Sequence, residues 1–155
     1  MNWAAHRESW TVIFRQYLPR LALFSLAWEI LQLPLYTIWT TSPWQSIVFA
    51  VAHCTVGDAM IGMAAMVISL MLVRAGKPAN WPQTTIAIIT VLLTLAYTVF
   101  SERINLAQGS WNYSYWMPIV GWIDVGLAPL AQWIVVPLLA LWRASRAHVL
   151  TGHGL

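Results

Sequence analysis

The sequence predicts an all-α polytopic membrane fold, with four transmembrane helices preceded by an N-terminal amphipathic interfacial helix, in one domain over residues 1–155. Three observations predict it. Hydrophobic residues make up 59% of the chain and charged residues only 8%, against about 25% charged in an ordinary soluble domain. Four apolar runs are each long enough to cross a hydrocarbon core of about 30 Å, which takes roughly 20 helical residues. Basic residues gather at alternate ends of those runs. The mean hydropathy of +0.65 agrees that the main solvent is lipid.

The elements follow in order. Met1–Leu18 carries Trp3, Arg7, Trp10, Phe14 and Tyr17 at helical spacing, the pattern of a helix lying on the membrane surface. The first apolar run, Leu21–Trp39, has no small-residue cleavage pattern after it and reads as a retained anchor. The second, Ile47–Val73, follows Pro43 and is too long for a perpendicular helix at about 1.5 Å per residue. It must tilt, kink or begin outside the bilayer. Arg74-Ala-Gly-Lys-Pro stops it. Pro82 precedes the third run, Thr85–Glu102, and a loop over 103–121 leads to the fourth, Trp122–Trp142. Strict alternation of polar and apolar residues is missing, which excludes a barrel.

Arg7, Arg15, Arg20, Arg74, Lys77, Arg143 and Arg146 fall on one side of these spans and Arg103 alone on the other. The positive-inside rule then predicts two cytoplasmic termini in a plasma (inner) membrane. The net charge of +3 describes that edge and implies no nucleic-acid partner. A single cysteine, Cys54, excludes an internal disulfide and a multi-cysteine metal site.

The acidic residues carry the functional expectation. Glu29, Asp58, Glu102 and Asp124 lie within the spans or at their outer ends. A charged side chain at the bilayer centre costs about 2.5–3.5 kcal/mol or more unless it faces protein, water or a partner. Glu29 falls about 12 Å along its helix from Leu21, and Asp58 about 16 Å from Ile47, so both lie near the midplane. Gln132 is expected at a similar level, with Glu102, Arg103 and Asp124 at the outer rim. The other half of each span is aliphatic. The expectation is a polar pocket that opens outward and is closed toward the cytoplasm.

Helix faces sharpen that expectation. Glu29, Gln32 and Tyr36 share one face of the first helix, and Ala50, Cys54, Asp58 and Gly62 align on the second. Thr90, Thr94, Thr98 and Glu102 repeat at the same spacing on the third. Those hydroxyls either line the pocket or bond their own helix carbonyls. His53 stands about 140° around the helix from Asp58 and need not touch it. His6, His148 and His153 lie on the opposite side, so no metal or other cofactor is expected.

Glu102, Arg103 and Asn105 lead into Trp111, Tyr113, Tyr115 and Trp116. Arg103 can pair with Asp124 or with a lipid phosphate. The aromatics form either an interfacial belt or a lid over the pocket.

At this stretch the chain resembles a group of small bacterial multi-pass membrane proteins without an assigned activity. The resemblance rests on Glu102, Asn105, Ser110-Trp111-Asn112-Tyr113-Ser114, Met117-Pro118, Gly126-Leu127, Pro129, Gln132-Trp133 and Pro137. It implies no chemistry. Glu29 with Gln32-Leu33-Pro34, and His53 with Thr55 on the next helix, resemble the Glu/Gln-Leu-Pro helix and His-bearing helix of the four-helix EXPERA membrane proteins. That family includes sterol isomerases and sterol-binding proteins, and the resemblance implies a lipophilic ligand.

Three functions are open on these grounds. The first is binding or conversion of an isoprenoid or sterol-like molecule. Glu29, Asp58 and Glu102 would act as acids. Trp28, Gln32, Tyr36, His53, Tyr97, Arg103, Asn105, Trp111, Asp124, Gln132 and Trp133 would form the binding surface. Isomerisation, hydration or cyclisation of an alkene would suit such a site. The second is an accessory subunit docked on a membrane-protein partner or on a second copy. The third is a proton or ion relay.

Overall fold

The computed structural model describes the backbone of residues 2–151 and the side chains of residues 2–144. Arg146, His148 and His153 therefore carry no structural statement. The chain is mostly helical: α1 (Arg7–Thr11), a π turn (Val12–Tyr17), α2 (Leu18–Gln32), short α3 (Ile38–Thr41), α4 (Trp44–Leu72), α5 (Gln83–Ala107) and α6 (Leu127–Thr151). Three helices are long and apolar enough to cross a membrane: Trp44–Leu72, Gln83–Ala107 and the Leu127–Ala144 part of α6. Val56, Met60, Leu92 and Phe100 stand exposed on α4 and α5, as lipid-facing residues do.

The N-terminal segment departs from expectation. It does not stop at Leu18; α1, the π turn and α2 run on as one helix from Arg7 to Gln32. Ile13 and Tyr17 are fully buried, and the π turn packs against α6, while Trp10 and Phe14 stack outside at 5.7 Å. Conversely, the helix ends seven residues before Trp39. Pro34 has no N–H for the carbonyl of Ile30, so the chain tightens into a 3-10 turn at Leu33–Leu35 and is extended at Tyr36.

Helix ends elsewhere have local causes. Pro43, extended at ψ 153°, starts α4, whose 29 residues span about 44 Å and exceed the hydrocarbon thickness. Arg74 closes α4 in the left-handed region (φ 50°), with the Ala75 N–H donating to the Leu70 carbonyl at 2.9 Å. Gly109 (φ 68°) closes α5 in the same way, and the Ser110 N–H donates to the Asn105 carbonyl at 2.9 Å. The last helix starts at Leu127 rather than Trp122. A small antiparallel hairpin, β1 (Ile119–Val120) with β2 (Val125–Gly126), occupies the intervening residues, and Asp124 turns the chain at φ 53°.

Packing divides the bundle into two ends. Toward the 73–82 loop lies the core: Ile13, Tyr17, Leu21, Met66, Leu70, Ile86, Val136 and Ala140. There α2 and α4 approach closely at Gly62, where an added Cβ would lie 2.5 Å from a Leu21 methyl. The Tyr17 hydroxyl donates to the Gly62 carbonyl at 3.3 Å. Toward the 110–126 loop the bundle is hollow.

Candidate functional site

The hollow end is formed by the last turns of α2 and α5 and the first turns of α4 and α6. A cavity of about 640 Å³ lies there. Glu29, Asp58 and Glu102 all line it, together with Gln32, Tyr36, His53, Tyr97, Asn105, Trp111, Gln132 and Trp133. Asp58, Glu102, Gln32 and Gln132 are buried.

Four residues from three helices form its polar floor. Gln132, on the second turn of α6, has one amide nitrogen reaching two carboxyls: it donates to Asp58 Oδ2 at 2.6 Å and to Glu29 Oε1 at 3.2 Å. Gln32 Nε2 donates to Glu29 Oε1 at 2.9 Å and to Gln132 Oε1 at 3.2 Å. The Glu29 and Asp58 carboxyls lie close enough for each to feel the other's charge. Two carboxyls from different helices, 29 residues apart in sequence, thus share one amide donor. Glycine at position 57, one residue before Asp58, leaves open space where a Cβ would stand.

Glu102 forms a second pole. The Tyr113 hydroxyl donates to its Oε2 at 2.5 Å and accepts from the Gly126 N–H at 2.9 Å, so one phenol joins the end of α5 to the start of α6. Burial, with the neighbouring carboxyl as a second cause, raises the Tyr113 phenol above its ordinary range. The Trp111 indole lies near Glu102, but its buried N–H has no hydrogen-bond partner.

A strap made by residues 111–118 closes this end onto the break after α2. Thr37 N–H donates to the Asn112 carbonyl at 2.9 Å, Ser114 N–H to the Leu35 carbonyl at 2.9 Å, and Ser114 Oγ to the Pro34 carbonyl at 3.0 Å. Tyr36 and Tyr113 pair across it as an isolated β-bridge, their rings 5.6 Å apart. The aromatic cluster therefore splits. Trp111 and Tyr113 turn inward, whereas Tyr115 and Trp116 are exposed with Trp44 and Trp122 at the same end of the bundle.

Several expected residues lie elsewhere. Trp28 packs against the aliphatic core and is not part of the cavity wall. Arg103 and Asp124 are exposed, outside the cavity, and no ion pair joins them. Arg103 sits on a helical turn just past Glu102, so its side chain points away from that inward-facing carboxyl. In the threonine stripe, Thr94 Oγ1 donates to the Thr90 carbonyl at 3.0 Å and Thr98 Oγ1 to the Thr94 carbonyl at 2.9 Å, and Thr98 alone of the three also lines the cavity. Thr90 instead meets Ser69 Oγ at 2.9 Å. Sequence reasoning passes over Phe49 and Ser101, which also line the cavity, and Cys54, expected on the Asp58 face, lines it too. Cys54 sits one turn before Asp58, a spacing that signals a shared face. His53 stacks on Phe49 at 5.7 Å.

The arrangement offers carboxyls for proton transfer, amide groups to orient them, and aromatic faces around them. Comparison with known protein families, with curated proteins and with solved structures finds no match to this chain.

Proposed function

We propose that this chain is a multi-pass plasma (inner) membrane protein whose cavity binds or converts a hydrophobic small molecule, isoprenoid or sterol-like, by carboxylic-acid chemistry. The helix from Arg7 to Gln32 supplies a fourth crossing beside the three long apolar helices. Arg74 and Lys77 mark the cytoplasmic end, and the cavity opens on the opposite side, by the basic-residue rule.

The observation that carries this reading is a cavity of about 640 Å³ with three carboxyls on its wall and aromatic rings between them. A ligand of this kind would lay its hydrocarbon body along Tyr97, Trp133 and Phe49. A protonated carboxyl would give its proton to one alkene carbon, breaking O–H and forming C–H. The resulting cation would be held by the aromatic faces. Loss of a proton from the neighbouring carbon to the carboxylate just formed would complete an isomerisation and restore the acid. The small-residue stripe on α4 lends a docked protein partner little support, because Leu21 already occupies the approach at Gly62.

Lipid extracts from cells carrying the wild-type chain, Glu29→Gln or Asp58→Asn test the proposal by mass spectrometry. The expected result is a co-purifying isoprenoid or sterol-like species that falls at least about tenfold in either variant, as for loss of a positioned acid or base. Unchanged co-purified and cellular lipids in both variants would overturn it.

A further inference from the structure

We propose that the recess at the packed end of the bundle binds an anionic phospholipid, with one acyl chain in the recess and the phosphate at its mouth beside Lys77 and Arg143. The site lies at the opposite end from the carboxyl-lined cavity and does not depend on what that cavity does.

The recess, of about 270 Å³, lies between the first turns of α5 and the later turns of α6. Its inner wall is hydrocarbon, formed by the wholly buried Met66 and by Leu138. Two indoles edge it, Trp81 and the exposed Trp142. Trp81 Nε1 donates to the Gly76 carbonyl at 3.0 Å, which ties that ring to the 73–82 loop. An apolar slot edged by tryptophans suits a chain that passes from hydrocarbon into the headgroup layer, where such rings are favoured.

The mouth supplies what a phosphate needs. Lys77, exposed, directly precedes Pro78 of the recess wall. The Arg143 guanidinium stands 5.4 Å from the centroid of the Trp142 ring, beside another part of that wall. Gln83 and Thr84 line the recess at the start of α5, which has no side-chain cap and no acidic residue in its first turn. The first helical bond there runs from the Ile86 N–H to the Pro82 carbonyl at 3.0 Å, so the earlier N–H groups add the positive end of a 25-residue helix.

The charge at this end is also unbalanced. Of the chain's five acidic residues only Glu8 belongs to it, against Arg7, Arg15, Arg20, Arg74, Lys77 and Arg143. A zwitterionic lipid would fill the slot and leave that excess uncompensated, whereas a lipid with a net negative headgroup supplies both parts. Basic pockets between transmembrane helices hold anionic headgroups on these terms.

Dioleoylphosphatidylglycerol and dioleoylphosphatidylcholine share acyl chains and a phosphate and differ in net charge. Titrating each onto the full chain in detergent, with bound lipids counted by native mass spectrometry, therefore separates charge from hydrophobic fit. The expected result is one phosphatidylglycerol held at least about tenfold tighter than phosphatidylcholine. Lys77→Gln and Arg143→Gln should each lower that preference about fivefold, as for removal of one basic group beside anionic lipid. Arg20→Gln is the control and should change little: that guanidinium donates to the Gln16 carbonyl, and its helix gives nothing to the recess wall. Ala87→Phe fills the recess while keeping every charge, and should abolish the tight site. Equal binding of the two lipids by the wild-type chain would overturn the proposal. A loss in Arg20→Gln as large as in Lys77→Gln would do the same, by assigning the preference to the net charge of this end. So would a tight site that survives Ala87→Phe or is displaced by equimolar inorganic phosphate, since no acyl chain would then occupy the recess. The wild-type comparison needs no variant to fold.

Discussion

The two ends of this bundle are built from the same four long helical runs and solve opposite problems. Toward the 73–82 loop, Ile13, Tyr17, Leu21, Leu70 and Ala140 are wholly buried, and one glycine lets α2 touch α4. Toward the 110–126 loop, the same helices leave about 640 Å³ between them and face it with carboxyls and amides. The packed end also has a recess, of about 270 Å³, but no carboxyl lines it. In lipid, helix association draws on packing and on interhelical hydrogen bonds, with little hydrophobic drive. One end uses the first and the other end the second.

The comparison breaks most visibly at Tyr17. Tyr17→Ala removes a fully buried ring and its bond to the Gly62 carbonyl, and about 3–5 kcal/mol of stability should be lost, as for other large aromatic truncations. Thermal unfolding in detergent should show a lower Tm. A Tm within a degree or so of wild type would mean that this end is not the stabilising one.

Tyr113→Phe probes the hollow end. It deletes the bond to Glu102 and the acceptor for Gly126 N–H, and about 1–3 kcal/mol should be lost for the polar groups left without a partner. Limited proteolysis within residues 111–118 should accelerate. The pH profile has a definite sign. Because folding raises the Tyr113 phenol above the ordinary value of 10.0, its contribution is complete below pH 10.0 and is lost as the pH climbs through the folded value. Tyr113→Phe should flatten that alkaline loss. An unaltered alkaline profile would assign it to another group.

The smallest effect belongs to Thr94→Val. Its hydroxyl bonds only carbonyls of its own helix, Thr90 and Val91, so removing it should change stability by no more than about 1 kcal/mol. A larger loss would show that the stripe contributes between helices.

Much of the architecture was legible because hydrocarbon is an unforgiving solvent. Runs of Leu, Ile and Val long enough to span can only be helices there, and prolines at 43 and 82 mark where two of them begin. The first helix misled, since its hydropathy continues through Trp39 although Pro34 ends the hydrogen-bond ladder. Hydropathy averages over a window, whereas a missing N–H acts at one carbonyl. The start of α6 misled likewise: Trp122 and Ile123 are apolar, yet they sit in a hairpin whose turn depends on Asp124 adopting a positive φ.

What the amino-acid order determined by itself was level and chemistry. Spacing along each helix sets the level of Glu29, Asp58 and Gln132, and the high cost of charge in lipid makes the two carboxyls conspicuous. What only the tertiary structure decided was direction across the bundle. Whether Gln132 meets both carboxyls, whether Trp28 faces the core or the cavity, and whether Tyr113 reaches Glu102 all depend on how far each helix is rotated about its axis. That rotation is set jointly by every contact between helices, Leu21 against Gly62 among them, and no single helix carries it.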